Sequence, residues 1–200
     1  MPPLSWHRPH DAGHIAPLPA PGWHTRHQHV QVVTRRPAQF VDITDEVSRV
    51  VAASGISAGL VNVQALHTTT AVVVNEHEPL LLSDFASTLE RLAPSGLPYR
   101  HDDFSLRRAN LTPDERVNGH AHCRALVLAP CACLNVVGGR VHLGRWQRVF
   151  LVELDGPRRR AVSVMVLGSS EARSSEAGHP RRSRTPGGWA RRRVNGEGGR

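Results

Sequence analysis

Lysine is absent from the 200 residues, so all 25 basic side chains are arginine, a usage that reflects a GC-rich coding bias as much as function. Aromatic residues are scarce, with four Trp, four Phe and one Tyr, so a core must rest on Val, Leu and Ala. A chain so poor in stacking platforms makes a weak reader of nucleic acid. No run approaches the ~18 apolar residues of a membrane-spanning helix, and the N-terminus has no apolar segment of the secretory kind. A soluble, cytoplasmic chain without a membrane partner is expected. Cysteine is rare as well, and the odd number Cys123, Cys131 and Cys133 argues for reduced thiols rather than a disulfide framework.

The formal net charge of +8 invites an anionic polymer as partner, but the charge is unevenly placed. Residues 169–200 carry +5, residues 1–27 carry +1, and the long middle segment only +2. Nucleic-acid binding is therefore expected, if anywhere, through the basic tail. The segment 1–27 is rich in Pro and His without periodicity, and 169–200 is rich in Ser, Gly and Arg. Both read as disordered extensions flanking one domain over residues 28–168.

Within that domain short Val-rich runs alternate with two helical stretches. Strands are expected over His29–Thr34, Gln39–Ile43, Gly59–Leu66 and Ala71–Asn75. Thr44 is placed to cap a first helix with Asp45 and Glu46 in its first turn, an apolar face of Val47, Val50 and Val51, and Gly55 as its stop. Pro79 opens a second helix with Leu81, Phe85, Leu89 and Leu92 on one stripe, ended by Pro94 and Gly96. Ser95–His120 is polar and irregular, long enough to suggest a functional excursion. A meander follows: Cys131–Val137 and Arg140–Leu143 around Gly138-Gly139, then Arg145–Leu154, a turn at Asp155-Gly156-Pro157, and Arg159–Leu167. This order predicts an α+β fold, a single compact domain with a mixed β-sheet or sandwich and two helices packed on it.

Seven histidines fall in the domain, and several sit where strands end. His67 closes a strand beside the hydroxyls of Thr68, Thr69 and Thr70; a lone His there is often structural. His101 and the pair His120 and His122 lie in or beside the long loop, and in an extended segment the pair would point to one side. Three imidazoles with an open position would suit a catalytic metal, although a His-x-His spacing alone is weak evidence. Glu76, at a strand end, reads equally as a general base and as a solvated carboxylate. Glu153 lies in an apolar run and needs a partner, either an Arg across the sheet or at a subunit contact, or else a place in the site. Arg158, Arg159 and Arg160 follow a turn and suit a phosphate or simply water. Cys131 and Cys133 share a strand face and read as core fillers.

The segments FVDITDEV (40–47), HTTTAVVVNE (67–76), YRHDD (99–103), NGHAH (118–122) and GGRVHLGRWQRVFLVELDGPRRR (138–160) together resemble the YjbQ family, described as secondary thiamine-phosphate synthases. The match runs in order through residues 28–168 and leaves the tails outside. Two departures from the family's pattern, the cysteines at 131 and 133 and Gly138 in the hairpin turn, do not touch the implied site. The resemblance implies a homotrimer of compact α+β subunits with a His-lined, metal-associated pocket near the subunit contacts. The metal would be a divalent ion, zinc or magnesium, held by His67, His101 and His122 with His120 a possible addition. The implied reaction joins a hydroxymethylpyrimidine diphosphate to a thiazole phosphate, an activity that the family's description calls secondary. Catalytic roles would fall to Glu76 and His67, and contacts to a small phosphorylated metabolite to Thr68, Thr69, Asn75 and Arg158. The alternative is a non-catalytic protein that binds a metal and phosphorylated metabolites.

Overall fold

The computed structural model describes residues 22–170. The expected disorder of the two extensions falls almost wholly outside that range. The first strand already begins at Trp23, ahead of the expected domain boundary at residue 28.

Among the described residues, eight strands form two sheets in which every pairing is antiparallel. They are β1 Trp23–Val33, β2 Gln39–Asp42, β3 Ala58–Ala65, β4 Thr70–Glu76, β5 Cys131–Val137, β6 Arg140–Val141, β7 Gln147–Glu153 and β8 Arg159–Ser169. The larger sheet has the order β1-β8-β3-β5-β6 and the smaller β2-β7-β4. Alternation along the strands turns Val30, Val61, Val63, Val162, Val164 and Val166 of the large sheet toward Val72, Val149 and Leu151 of the small one, and all nine are buried in one cluster. The result is an α+β sandwich whose core is built from β-branched residues, as the scarcity of aromatics requires.

Helix α1, Thr44–Ser54, buries Val47, Val50 and Val51 and ends at Gly55, which takes the left-handed conformation (φ 71°) that favours glycine. Its cap differs from the sequence expectation. Ile43 occupies the cap position with no side-chain bond, and Thr44 is already helical. The Thr44 hydroxyl is instead used across the sheet, donating to Asp42 Oδ1 (2.6 Å) and accepting the N–H of Val149 (2.8 Å). Helix α2, Pro79–Leu92, is capped by Glu78, whose carboxylate accepts the N–H groups of Leu80 and Leu81. It packs Leu82, Phe85 and Leu89 near Phe40 and Phe150 of the small sheet, whereas Leu92 is exposed. A third helix, α3 Gly119–Val127, stands where the sequence reading ended its irregular loop and allowed an extended His120–His122 segment. Gly138 and Gly139, with φ of 57° and 72°, make the tight turn between β5 and β6.

Cys131 and Cys133 share one face of β5, but that face is the outer one and both thiols are exposed. The inward positions belong to Ala132, Leu134 and Val136. Among the described residues, no helix is long and apolar enough to cross a membrane.

Asp42 ties β2 to the start of α1 and to β7. Its carboxylate accepts from the Thr44 N–H and hydroxyl, from Arg148 Nε (2.8 Å) and from His77 Nδ1 (3.1 Å). Partial burial opposes its charge, but the Thr44 and Arg148 hydrogen bonds outweigh that and lower its pKa to about 2. A depressed folded-state value stabilises the fold above the unfolded pKa of 3.8 and loses that contribution as pH falls through about 2. Asp42→Asn should therefore lower stability by a constant amount at neutral pH, and urea denaturation should show the gap to wild type closing between about pH 5 and 2.

Candidate functional site

The ends of β3, β7 and β8 converge on a buried ion pair. Arg160 grips Glu153 through Nε (2.7 Å) and Nη2 (2.6 Å), and Glu153 is fully buried. Of the alternatives open in the sequence, the carboxylate takes the arginine partner, which comes from β8, the next strand of the same chain but a member of the other sheet. Arg160 also donates to Thr69 Oγ1 (3.2 Å). Glu153 in turn accepts the Thr34 hydroxyl (2.8 Å) and the N–H groups of Asp155 (3.0 Å) and Gly156 (3.2 Å). Burial works to raise the Glu153 pKa, but the hydrogen bonds from Arg160, Thr34 and Asp155 and the Arg160 charge outweigh it and hold the carboxyl below its usual value.

Above this pair opens a polar cleft of about 650 Å³. Its walls bring together His67, Thr68, Thr69, His101, His122 and Arg158, with Arg107, Arg116, Asn118 and Asp155 completing the rim. His67 lies in the bend between β3 and β4, and its Nε2 accepts the Ala161 N–H at 3.0 Å. That bond requires the lone pair of the ring to lie on Nε2 and the proton on Nδ1. Burial and the nearby Arg160 charge lower the His67 pKa, in the same direction as the neutral ring that the Ala161 hydrogen bond requires.

His101 stands on a single 3-10 turn, Arg100–Asp102, and His122 on the second turn of α3. Their ring centroids are 4.5 Å apart. Burial first, and then the neighbouring His101, lower the pKa of His122. Asp102 locks the two segments together: its Oδ1 accepts the N–H of Asn118 and of Gly119, both at 2.9 Å, which satisfies the start of α3 from a distant part of the chain. Gly119 permits the approach, because a Cβ there would lie 2.5 Å from the Tyr99 Cβ.

The helical geometry corrects the reading of the His120–His122 pair. Two residues apart on a helix they point in nearly opposite directions, so His122 meets His101 while His120 turns to Tyr99, 6.4 Å between ring centroids. His120 is outside the cleft lining. Asn75 and Glu76 are also outside it. They end β4 at the strand terminus opposite Thr70, and Asn75 lines a small apolar hollow with Phe40, Phe85 and Leu89. The expectation that Glu76 serves as the base in this cleft is therefore not met within one chain, because β4 carries it ~20 Å from the Thr70 end. Asp102 and Asn118 stand in the YRHDD and NGHAH segments but carry no role in the sequence reading, and Arg107 is not named in it; the acidic residue after His101 and the Asn-Gly before His120 are the available signals.

Among the described residues, four buried side-chain polar atoms lack a hydrogen-bond partner: His101 Nε2, Asn118 Oδ1, His120 Nδ1 and Arg158 Nε. All four belong to the segments that meet at the cleft. Native proteins leave few such atoms unpaired, and their concentration marks a wall suited to a polar ligand. For a metal, His101 and His122 offer two imidazoles. The lone pair of His67 is already engaged by Ala161, so the three-histidine set is not assembled. No group of three or more His, Cys, Asp or Glu among the described residues has the spacing to hold an ion.

The fold and cleft define an α+β sandwich with a His- and Arg-walled polar site at one end of its strands. The sequence profile of the family described as UPF0047 protein YjbQ-like matches residues 28–169, and the chain belongs to that family. A UPF0047 protein of Methanothermobacter thermautotrophicus is 38% identical over 141 residues, covering 70% of this chain and 91% of its relative. One from Archaeoglobus fulgidus is 39% identical over 134 residues, covering 67% and 95%. Among solved structures, a YbjQ-like protein of unknown function from Sulfolobus solfataricus superposes with a TM-score of 0.66 at 33% identity, over 74% of this chain and 99% of that one.

Replacing Asp102 by Ala removes the acceptor of two backbone donors at the start of α3. A loss of about 1–2 kcal/mol in denaturant unfolding is expected, the scale of a lost helix cap. Ring-to-ring contacts between His101 and His122 should vanish from the NMR spectrum.

Proposed function

We propose that the cleft binds a small phosphorylated metabolite and that the protein is a thiamine-phosphate-synthase-like transferase acting in the cytoplasm. The observation that carries the reading is Arg158. Its guanidinium donates to Asp155 at 2.5 Å while its buried Nε has no partner, and it faces the same cleft as the hydroxyls of Thr68 and Thr69. Guanidinium and hydroxyl donors set around one cavity suit phosphate oxygens. Arg107 and Arg116 add positive charge to the rim.

In the proposed reaction the ring nitrogen of a thiazole phosphate attacks the methylene carbon of a hydroxymethylpyrimidine diphosphate. A C–N bond forms, and the C–O bond breaks with its electron pair leaving on pyrophosphate. The protein's tasks are to hold two anions together and to stabilise the leaving group. Arg158, Thr68 and Thr69 would hold the diphosphate, and neutral His67 would orient polar groups of the substrate through Nδ1–H. A divalent ion would supply positive charge to the phosphates; zinc would take His101 and His122 as two of its ligands, whereas magnesium would be held mainly by the phosphate oxygens themselves. The homotrimer implied by the resemblance belongs to the same proposal. Because Asn75 and Glu76 lie away from the cleft of their own chain, any part they take in the reaction needs a neighbouring copy. A second reading, a protein that binds metal and phosphorylated metabolites without turnover, rests on the same donors.

The full chain incubated with both precursors and Mg²⁺ or Zn²⁺ should form thiamine phosphate. Arg158→Ala should weaken pyrophosphate binding by about tenfold, the worth of one charge-assisted contact. His122→Ala should lower the turnover. Ligand-induced thermal stabilisation without product would favour the binding reading, and neither product nor stabilisation would contradict both.

A further inference from the structure

The outward face of the large sheet carries metal-ligating side chains that the cleft does not use. On β1 the buried residues are Val30 and Val32, so the odd-numbered positions, including His27 and His29, point outward. Their rings lie with centroids 4.8 Å apart and planes at 85°. On β8 the buried set is Val162, Val164 and Val166, which turns Ser163 and Met165 to the same outer face. The antiparallel register sets His27 directly opposite Met165 and His29 opposite Ser163. Side chains directly opposite on such a pair have Cβ atoms only ~4.5–5.5 Å apart. Met165 is 45% exposed, unusual for a long apolar residue in the middle of a central strand. His27 Nε2 and Ser163 Oγ are 2.9 Å apart, which fixes the orientation of the ring.

We propose that His27, His29 and Met165 form a surface site for a copper ion, with Cu(I) the preferred state. Two imidazoles and a thioether make a soft, uncharged ligand set without a carboxylate, poorly suited to magnesium or calcium and well suited to copper. The surrounding outward residues add no repelling charge. Thr25 and Gln31 flank the histidines on β1, and Asn62 and Gln64 of β3 face Met165 and Ser163 from the other side. None of the three ligands lines the cleft, so the site is distinct from the phosphate-binding machinery.

The chain itself supplies the reporter, since Met1 and Met165 are its only methionines. The full chain labelled with ¹³C-methyl methionine would be titrated anaerobically with Cu(I) added as its acetonitrile complex, Met165→Leu assigning the resonance. The Met165 methyl signal should shift and saturate at stoichiometric copper, and Mg²⁺ should leave it in place. In the double variant His27→Gln, His29→Gln the shift should be lost. All three side chains are exposed, and circular dichroism would verify that the variants keep their strands. Competition against a Cu(I) chelator should show affinity at this site falling at least about tenfold in Met165→Leu. A Met165 signal unmoved by Cu(I), a shift that survives in the double histidine variant, or an affinity unchanged in Met165→Leu would overturn the proposal.

Discussion

The buried pair of Glu153 and Arg160 is the interaction on which the cleft depends. Taking two charges out of water is costly, and such a pair is tolerated only when its remaining donors and acceptors are satisfied. Here Glu153 accepts five hydrogen bonds: two from the guanidinium, and three more from the Thr34 hydroxyl and the backbone of the following turn. Thr34 just beyond β1, the 155–156 turn and the Thr69 hydroxyl are thereby fixed relative to one another. The backbone N–H of Leu154 returns to the Thr69 carbonyl at 3.1 Å and closes the same unit. The floor of the cleft is thus a rigid polar network set into a Val-rich sandwich, and the histidines stand on the segments around it.

The elements that were legible in the sequence are those whose causes are local. Helix α1 shows its acidic first turn, its Val stripe and its glycine stop, and the Gly138-Gly139 hairpin shows its turn residues. The need of Glu153 for a partner also followed from its apolar neighbours, with an arginine one of the alternatives. Helix α3 escaped because its start is secured by Asp102, sixteen residues before Asn118, and a cap supplied from so far away leaves no nearby signature. That single omission also misplaced His120. The cysteines on β5 were misread because both faces of CACLNVV look apolar at first sight. Asn135 shares the cysteine face, and it was the one residue that could have set the phase.

The candidate site was legible by residue type and only partly by placement. His67, Thr68, Thr69, His101, His122 and Arg158 do meet around one cleft. What periodicity and spacing could not reveal is which lone pairs remain free. The bond from Ala161 to His67 arises from where β8 runs past the bend after β3, and it decides that His67 faces the cleft with a donor rather than a ligand. The location of Glu76 is a matter of strand length: seven residues of β4 carry it away from the end where the threonines lie.

An arginine-rich chain thus keeps the fully buried Glu153 paired with Arg160 and sets Arg107, Arg116 and Arg158 around one polar cleft. In the function proposed above, the Glu153 network organises this cleft for an anionic ligand that Glu153 never touches. The most direct measurement is calorimetric binding of pyrophosphate to the full-length Glu153→Gln variant, at a temperature where the variant and wild type are both folded. The account predicts affinity weakened by about tenfold or more, because Thr69 and the 155–158 turn lose their common anchor. Affinity equal to wild type in a folded Glu153→Gln protein would contradict it.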